Sequence, residues 1–111
     1  MGLSINGCEG FQATTDHWYL MECDWPALNW ARLRVFADGH AEVLDIDGRI
    51  LTFADAITAH LDLREDEYVR FADLTAEDEP ELGRPLASIR LPHALDDATL
   101  VAMMRQAREP K

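Results

Sequence analysis

The sequence predicts an α+β domain in which a four-stranded antiparallel meander packs against two or three helices. Three observations lead there: Asp-Gly dipeptides at 38–39 and 47–48, each set between β-rich runs; a change from alternating to helical apolar spacing at Ala54; and a capped amphipathic stretch near the C-terminus. With 111 residues and 12.6 kDa the chain is long enough for one core and too short for two, so residues 1–111 are expected to form a single domain. A 48% hydrophobic share beside 28% charged residues excludes a wholly disordered chain.

Residues 17–23 (HWYLMEC) are the first strand candidate, because aromatic and apolar side chains suit a pleated, half-buried surface. Pro26 interrupts it, having no N–H to give to a ladder. Residues 29–36 form the second strand, with Ala31, Leu33 and Val35 on one face and Trp30, Arg32, Arg34 and Phe36 on the other. That second face is open to a helix or, in a homodimer, to another copy of the chain. Each Asp-Gly predicts a two-residue hairpin with both central residues at positive φ, which places the third strand at 40–46 and the fourth at 49–53.

Ala54, Ile57 and Leu61 then recur at helical spacing and predict a helix over 54–63 with these as its apolar face. A second helix is expected over 65–74, where Glu65, Asp66 and Glu67 suit the positive end of a helix dipole and Tyr68, Phe71 and Ala72 would face the core. Residues 75–80 (TAEDEP) read as an exposed acidic loop and residues 85–92 as a short edge strand. The last helix runs from Asp96 or Asp97, either of which can cap it, to about Arg108, with Leu100, Met104 and Ala107 on one face.

Twenty-one acids against ten bases give a net charge of −11 and a pI near 4.5. This balance opposes direct contact with nucleic acid phosphates or anionic lipid and makes a basic protein the natural partner. The charge is uneven: residues 1–54 carry −5, residues 55–81 carry −8 and residues 82–111 carry +2. No apolar run approaches the roughly 18 residues of a membrane span, and the start lacks a basic segment before an apolar one, so a soluble cytoplasmic protein is expected. Cys8 and Cys23 have neither a CxxC spacing nor basic neighbours and read as buried free thiols.

The run 43–51 (VLDIDGRIL) resembles the DxDG nucleophile loop of haloacid dehalogenase-type phosphatases. The resemblance implies Asp45 as the group that attacks phosphorus and Asp47 as acid and base, with Asp96 and Asp97 in place of the magnesium pair. Arg49 stands where that family has threonine, and no parallel βαβ pattern surrounds the motif. A hairpin turn accounts for the same residues. An EF-hand register would put Val43 first and Ala54 twelfth, neither of which has a side-chain oxygen. His17, His40, His60 and His93 are scattered, and no phosphate-binding glycine loop is present. No catalytic residue, metal ligand or cofactor is therefore expected.

The acidic section is the binding candidate: Asp62, Glu65, Asp66, Glu67, Glu77, Asp78, Glu79 and Glu81 are concentrated and largely unmatched by bases, and Tyr68 lies among them as an aromatic anchor. Trp25, beside Pro26 in a connection, is the tryptophan most open to a partner. The meander DGHAEVLDIDGRILTF at 38–53, followed by a short helix and then EDEY at 65–68, resembles small acidic bacterial proteins encoded beside secreted toxins. These include immunity proteins of type VI secretion and related polymorphic toxin systems. The resemblance implies a cytoplasmic binder that neutralises a cognate toxin through its acidic surface; a non-inhibitory adaptor or chaperone for a secreted protein is the alternative.

Overall fold

The structure, a computed structural model, describes residues 14–108. Five antiparallel strands form one sheet: β1 (Thr15–Met21), β2 (Trp30–Val35), β3 (Ala41–Leu44), β4 (Ile50–Phe53) and β5 (Tyr68–Arg70), in the order β4-β3-β2-β1-β5. The expected meander is β1 to β4. The fifth strand reaches the opposite edge after helix α1 (Ala56–Glu65), pairing Tyr19 with Arg70 and Met21 with Tyr68. A short helix α2 (Glu79–Leu82) and the longer α3 (Asp97–Arg108) complete the order.

Both hairpins lie where Asp-Gly placed them, with a different turn. Gly39 (φ 96°) and Gly48 (φ 85°) adopt the left-handed conformation, and the aspartates before them do not. Gly39 N–H donates to Phe36 O and Gly48 N–H to Asp45 O, so each loop is a type I turn closed by a left-handed glycine. One glycine supplies the single positive φ this turn needs. Asp45 Oδ1 accepts from the backbone N–H of Asp47 (2.9 Å) and of Arg49 (3.0 Å), which fixes the second turn.

The two sheet faces are covered differently. Leu20, Trp30, Leu44 and the hairpin residue Ile46 pack against Leu82, Ile89, Leu100, Val101 and Met104 of the C-terminal segment. The Trp30 ring is fully buried, edge-on to Trp18 and Phe71 at 5.7 and 5.5 Å. On the other face Tyr19, Ala31, Leu33, Ala41 and Val43 meet Ala59 and Leu63 of α1. The α3 reading holds: Asp96 caps it by accepting from Thr99 N–H at 2.8 Å, and Leu100 and Met104 are buried. Arg32 is 3% exposed and donates to Asp97 Oδ1 at 3.1 Å, so the face of Trp30 and Arg32 is occupied by this chain's own C-terminal helix.

Four readings are corrected. The helix expected over 65–74 is instead a C-terminal turn, strand β5 and a 3₁₀ turn at Phe71–Asp73, because Glu67 takes φ 67° and reverses the chain after α1. The edge strand expected over 85–92 is a 3₁₀ turn at Leu86–Ser88 followed by irregular chain. The loop over 75–80 is wound into a 3₁₀ turn, Ala76–Asp78, closed by a reciprocal Thr75–Asp78 capping box and leading into α2. Cys23 is exposed in the turn Glu22–Asp24 rather than buried, while Cys8 lies outside the described residues.

Candidate functional site

Helix α1 is capped by Asp55, whose side chain accepts from Thr58 N–H at 2.7 Å, and its first residue, Ala56, comes two residues later than the spacing suggested. The shift in start is minor, but its inward face is not the expected one. Ala56, Ala59 and Leu63 pack on the sheet, whereas Ala54 is exposed and Ile57 and Leu61 stand 72% and 57% exposed. Two helical stripes compete on this segment. The one with two alanines wins because Ala31 and Ala41 lie beneath it, so the backbones approach closely over small side chains. The larger apolar residues are left facing outward, and Leu51 of β4 is also exposed.

The C-terminal turn of α1, the β3–β4 hairpin and the β1–β5 edge enclose a cleft of about 330 Å³. Its walls bring together Asp62 and Asp66, one turn apart on α1, with Asp45 and Asp47 of the hairpin and with Asn29 and Tyr68. Asp45 is already satisfied: beyond the two turn amides, its Oδ2 accepts from Arg49 Nε at 2.9 Å. Asp47, Asp62 and Asp66 take part in none of the ion pairs found among the described residues. Negative potential accordingly converges on Tyr68. Burial, then the carboxylates of Asp45, Asp66, Asp24 and Asp47, push its hydroxyl up from 10.0 to about 12.

The remaining binding candidates divide by position. Glu65 and Glu67 are exposed at the same end of α1 as the cleft, although neither lines it. Tyr68, expected both to face the core and to lie among the acids as an aromatic anchor, is 7% exposed and forms part of the cleft wall. Glu77, on the 3₁₀ turn after β5, and Glu81, on α2, are exposed and outside the cleft lining. Asp78 closes the Thr75 capping box, and Glu79 Oε2 accepts from Leu86 N–H at 2.7 Å. Both carboxylates hold local structure. Trp25 is half-buried against the cluster around Leu20 and Trp30, on the opposite side of the sheet from α1.

A second hollow, about 360 Å³, lies on the other flank of α1 and is lined by His60, Arg64, Arg70, Asp73 and Asp78 among others. A 2.6 Å hydrogen bond joins the Tyr19 hydroxyl to His60 Nδ1, and the Arg70 guanidinium lies 5.9 Å from the Tyr19 ring centre. Burial, and then Arg70 and Arg64, hold His60 below the ordinary imidazole range. Its two arginines make this hollow electrostatically unlike the cleft.

Asn29, Asp45 and Asp47 were missed as partners of the acidic section. Their place in the cleft follows from the pairing of Met21 with Tyr68, which requires residues 68–70 to be a strand. Two aromatic or β-branched positions in that stretch, Tyr68 and Val69, with Phe71 directly after it, are the available signal. Among the described residues, no group of three or more His, Cys, Asp or Glu side chains is placed to hold a metal ion, and no helix is long and apolar enough to cross a membrane. Comparison of the chain with family models, with curated proteins and with solved structures finds no match in any of the three.

Proposed function

We propose that the chain is an immunity-type binding protein, acting in the cytoplasm, that docks its α1 side on a basic secreted toxin and neutralises it. The observation that carries this reading is the exposure of Ile57 and Leu61, one turn apart on α1, together with exposed Leu51 in the cleft wall that also holds Asp62 and Asp66, which take part in none of the ion pairs among the described residues. An apolar centre with a charged rim is the anatomy of a protein interface. Exposed apolar side chains on a helix whose other face is already packed gain nothing for the fold. The carboxylates raise the encounter rate with a basic surface, and a nuclease, whose substrate channel must be basic, is one fitting target class.

The test is capture of partners from the native host on the tagged protein at low and at high salt, followed by co-expression with each captured protein in a growth assay. The reading expects a basic secreted protein that salt releases and whose toxicity the chain abolishes. Capture without rescue of growth would replace neutralisation by a carrier or adaptor role. Absence of any salt-sensitive basic partner would overturn the binding role.

A further inference from the structure

We infer that the outer edge of β4 is a strand-pairing site, to which the partner adds an extended segment whose side chains alternate between apolar and basic. This rests on the binding role above and names the backbone contact at its centre.

The sheet has two edges, and they are finished differently. At the β5 edge the strand is three residues long, Glu67 reverses the chain immediately before it, and a 3₁₀ turn begins at Phe71. Glu22 N–H donates to Glu67 O, so by alternation the Tyr68 carbonyl points away from β1. The Arg64 guanidinium donates to that carbonyl at 2.9 Å. A short strand whose outward acceptor is taken by a side chain is a poor template for another chain.

The β4 edge lacks these guards. Among the described residues no strand lies beyond it, and its sequence, ILTF, contains neither proline nor charge. Asp45 N–H donates to Arg49 O, which makes these two a hydrogen-bonded pair. Alternation along the register then turns the N–H and C=O groups of Ile50 and Thr52 away from β3. Ile50 and Leu51 are 48% and 43% exposed, and Thr52 is exposed as well.

The two sides of β4 give an added segment different neighbours. Leu51 pairs with Val43 on the α1 side and shares the cleft wall with Asp47, Asp62 and Asp66, whereas Ile50 pairs with Leu44 on the side of the C-terminal segment. Facing residues of paired strands point to the same side of a sheet. The segment residue opposite Leu51 therefore lays its stem on Leu51 and turns its head toward the cleft carboxylates, which suits arginine or lysine. Residues opposite Ile50 and Thr52 are better apolar and β-branched. The carboxylates set the charge of the ligand, and the unpaired backbone sets its extended form. A second copy of this chain fits poorly, because β4 paired with its own copy would set the acidic α1 side of each chain beside the other's, in a protein of net charge −11.

The probe is the peptide acetyl-Val-Arg-Val-Arg-Val-amide, titrated into ¹⁵N-labelled full-length protein and followed by NMR. The expected result is saturable shifts centred on the amides of Ile50, Leu51 and Thr52, slowed exchange of the Ile50 and Thr52 amides, and contacts between their protons and the peptide backbone. The same peptide N-methylated at its valines keeps its charge but loses the donors that face β4, and it should bind weaker by roughly tenfold or more. Glutamate in place of arginine should abolish binding. Thr52→Pro removes one outward N–H where an edge strand tolerates proline, and should weaken the peptide by roughly fivefold to tenfold. Ile50→Pro repeats the test at the other outward amide in case the first variant does not fold.

Equal binding of the N-methylated peptide would reduce the effect to charge and overturn the pairing site, as would the absence of shifts at β4. Slow exchange of the Ile50 and Thr52 amides in the free protein would also overturn it, by showing the edge already covered by a second copy or by other residues of the chain. The two readings fail separately. A captured basic partner that binds a folded Thr52→Pro or Ile50→Pro variant with full affinity overturns the edge site and leaves the binding role; saturable pairing with the peptide supports the edge even where no captured partner is neutralised.

Discussion

One face of the sheet is closed over by the C-terminal segment, whereas the other is covered by α1 and leaves a charged cleft at one end. Trp30, Leu20 and Leu44 of the sheet meet Leu82 and Met104 of the C-terminal segment, each at most 1% exposed, with Trp18 and Phe71 set against the Trp30 ring. Between the sheet and α1 the large side chains Tyr19 and Leu33 are also buried, but the helix itself contributes only Ala59 and Leu63 to the buried cluster, over Ala31 and Ala41, and the packing gives way at one end to a charged cleft. The contrast shows how a small domain separates two demands. Large interlocking side chains supply stability on one side, which frees the helix on the other to turn Ile57 and Leu61 outward.

The contrast breaks most visibly at Trp30. Its replacement by alanine should cost about 3–5 kcal/mol in urea unfolding, the range for emptying a large aromatic site, and leave little folded protein. A loss below about 1 kcal/mol would show that the C-terminal segment is not the principal core. On the α1 side, Leu63→Ala should cost less, near about 2 kcal/mol at the lower end for leucine, because Leu63 borders the cleft and its site is already open on one side. An equal loss at the two positions would erase the distinction between the faces.

Alkaline titration sharpens the same comparison. Below pH 10.0 the Tyr68 hydroxyl keeps its proton in both folded and unfolded chains; between 10.0 and about 12 the unfolded chain releases it first. The folded state then holds more protons, so stability falls as pH rises through that window. Tyr68→Phe should flatten the fall relative to the parent protein, and a slope unchanged by this substitution would contradict the raised Tyr68 hydroxyl that burial, and then the surrounding carboxylates, produce. A smaller effect of opposite sign is expected at Glu67. Glycine there removes a left-handed strain of about 1–2 kcal/mol and adds unfolded-state freedom of about 0.5–1 kcal/mol, for a net gain of up to about 1.5 kcal/mol in a thermal melt. Destabilisation by Glu67→Gly would mean that its side chain holds the turn.

Much of this architecture is legible in the sequence, and where it is not the reasons are physical. Asp-Gly pairs fix the hairpins, since the turn chemistry is local, and the Asp96 cap with Leu100 and Met104 fixes α3. Strand β5 is hidden because acids at Glu65, Asp66 and Glu67 mimic a helix start, whereas they form a helix end followed by a residue at positive φ. The wrong stripe of α1 is read as its core face because Ile57 and Leu61 outweigh Ala56 and Ala59 on any hydrophobicity argument. Only the alanines of β2 and β3 beneath explain the choice. The acidic end of α1 is visible as composition; the cleft is not, because Asn29 and Asp47 join it only through strand pairing.

The outward stripe tests the account most directly. Ile57→Ser with Leu61→Ser should be measured for folding stability and for affinity toward the captured basic partner in the same preparation. The account predicts stability within about 0.5 kcal/mol of the parent, as for ordinary surface changes, and an affinity lower by roughly tenfold or more, as at an interface centre. Unchanged affinity, or a loss of stability on the scale expected for Leu63→Ala, would contradict it.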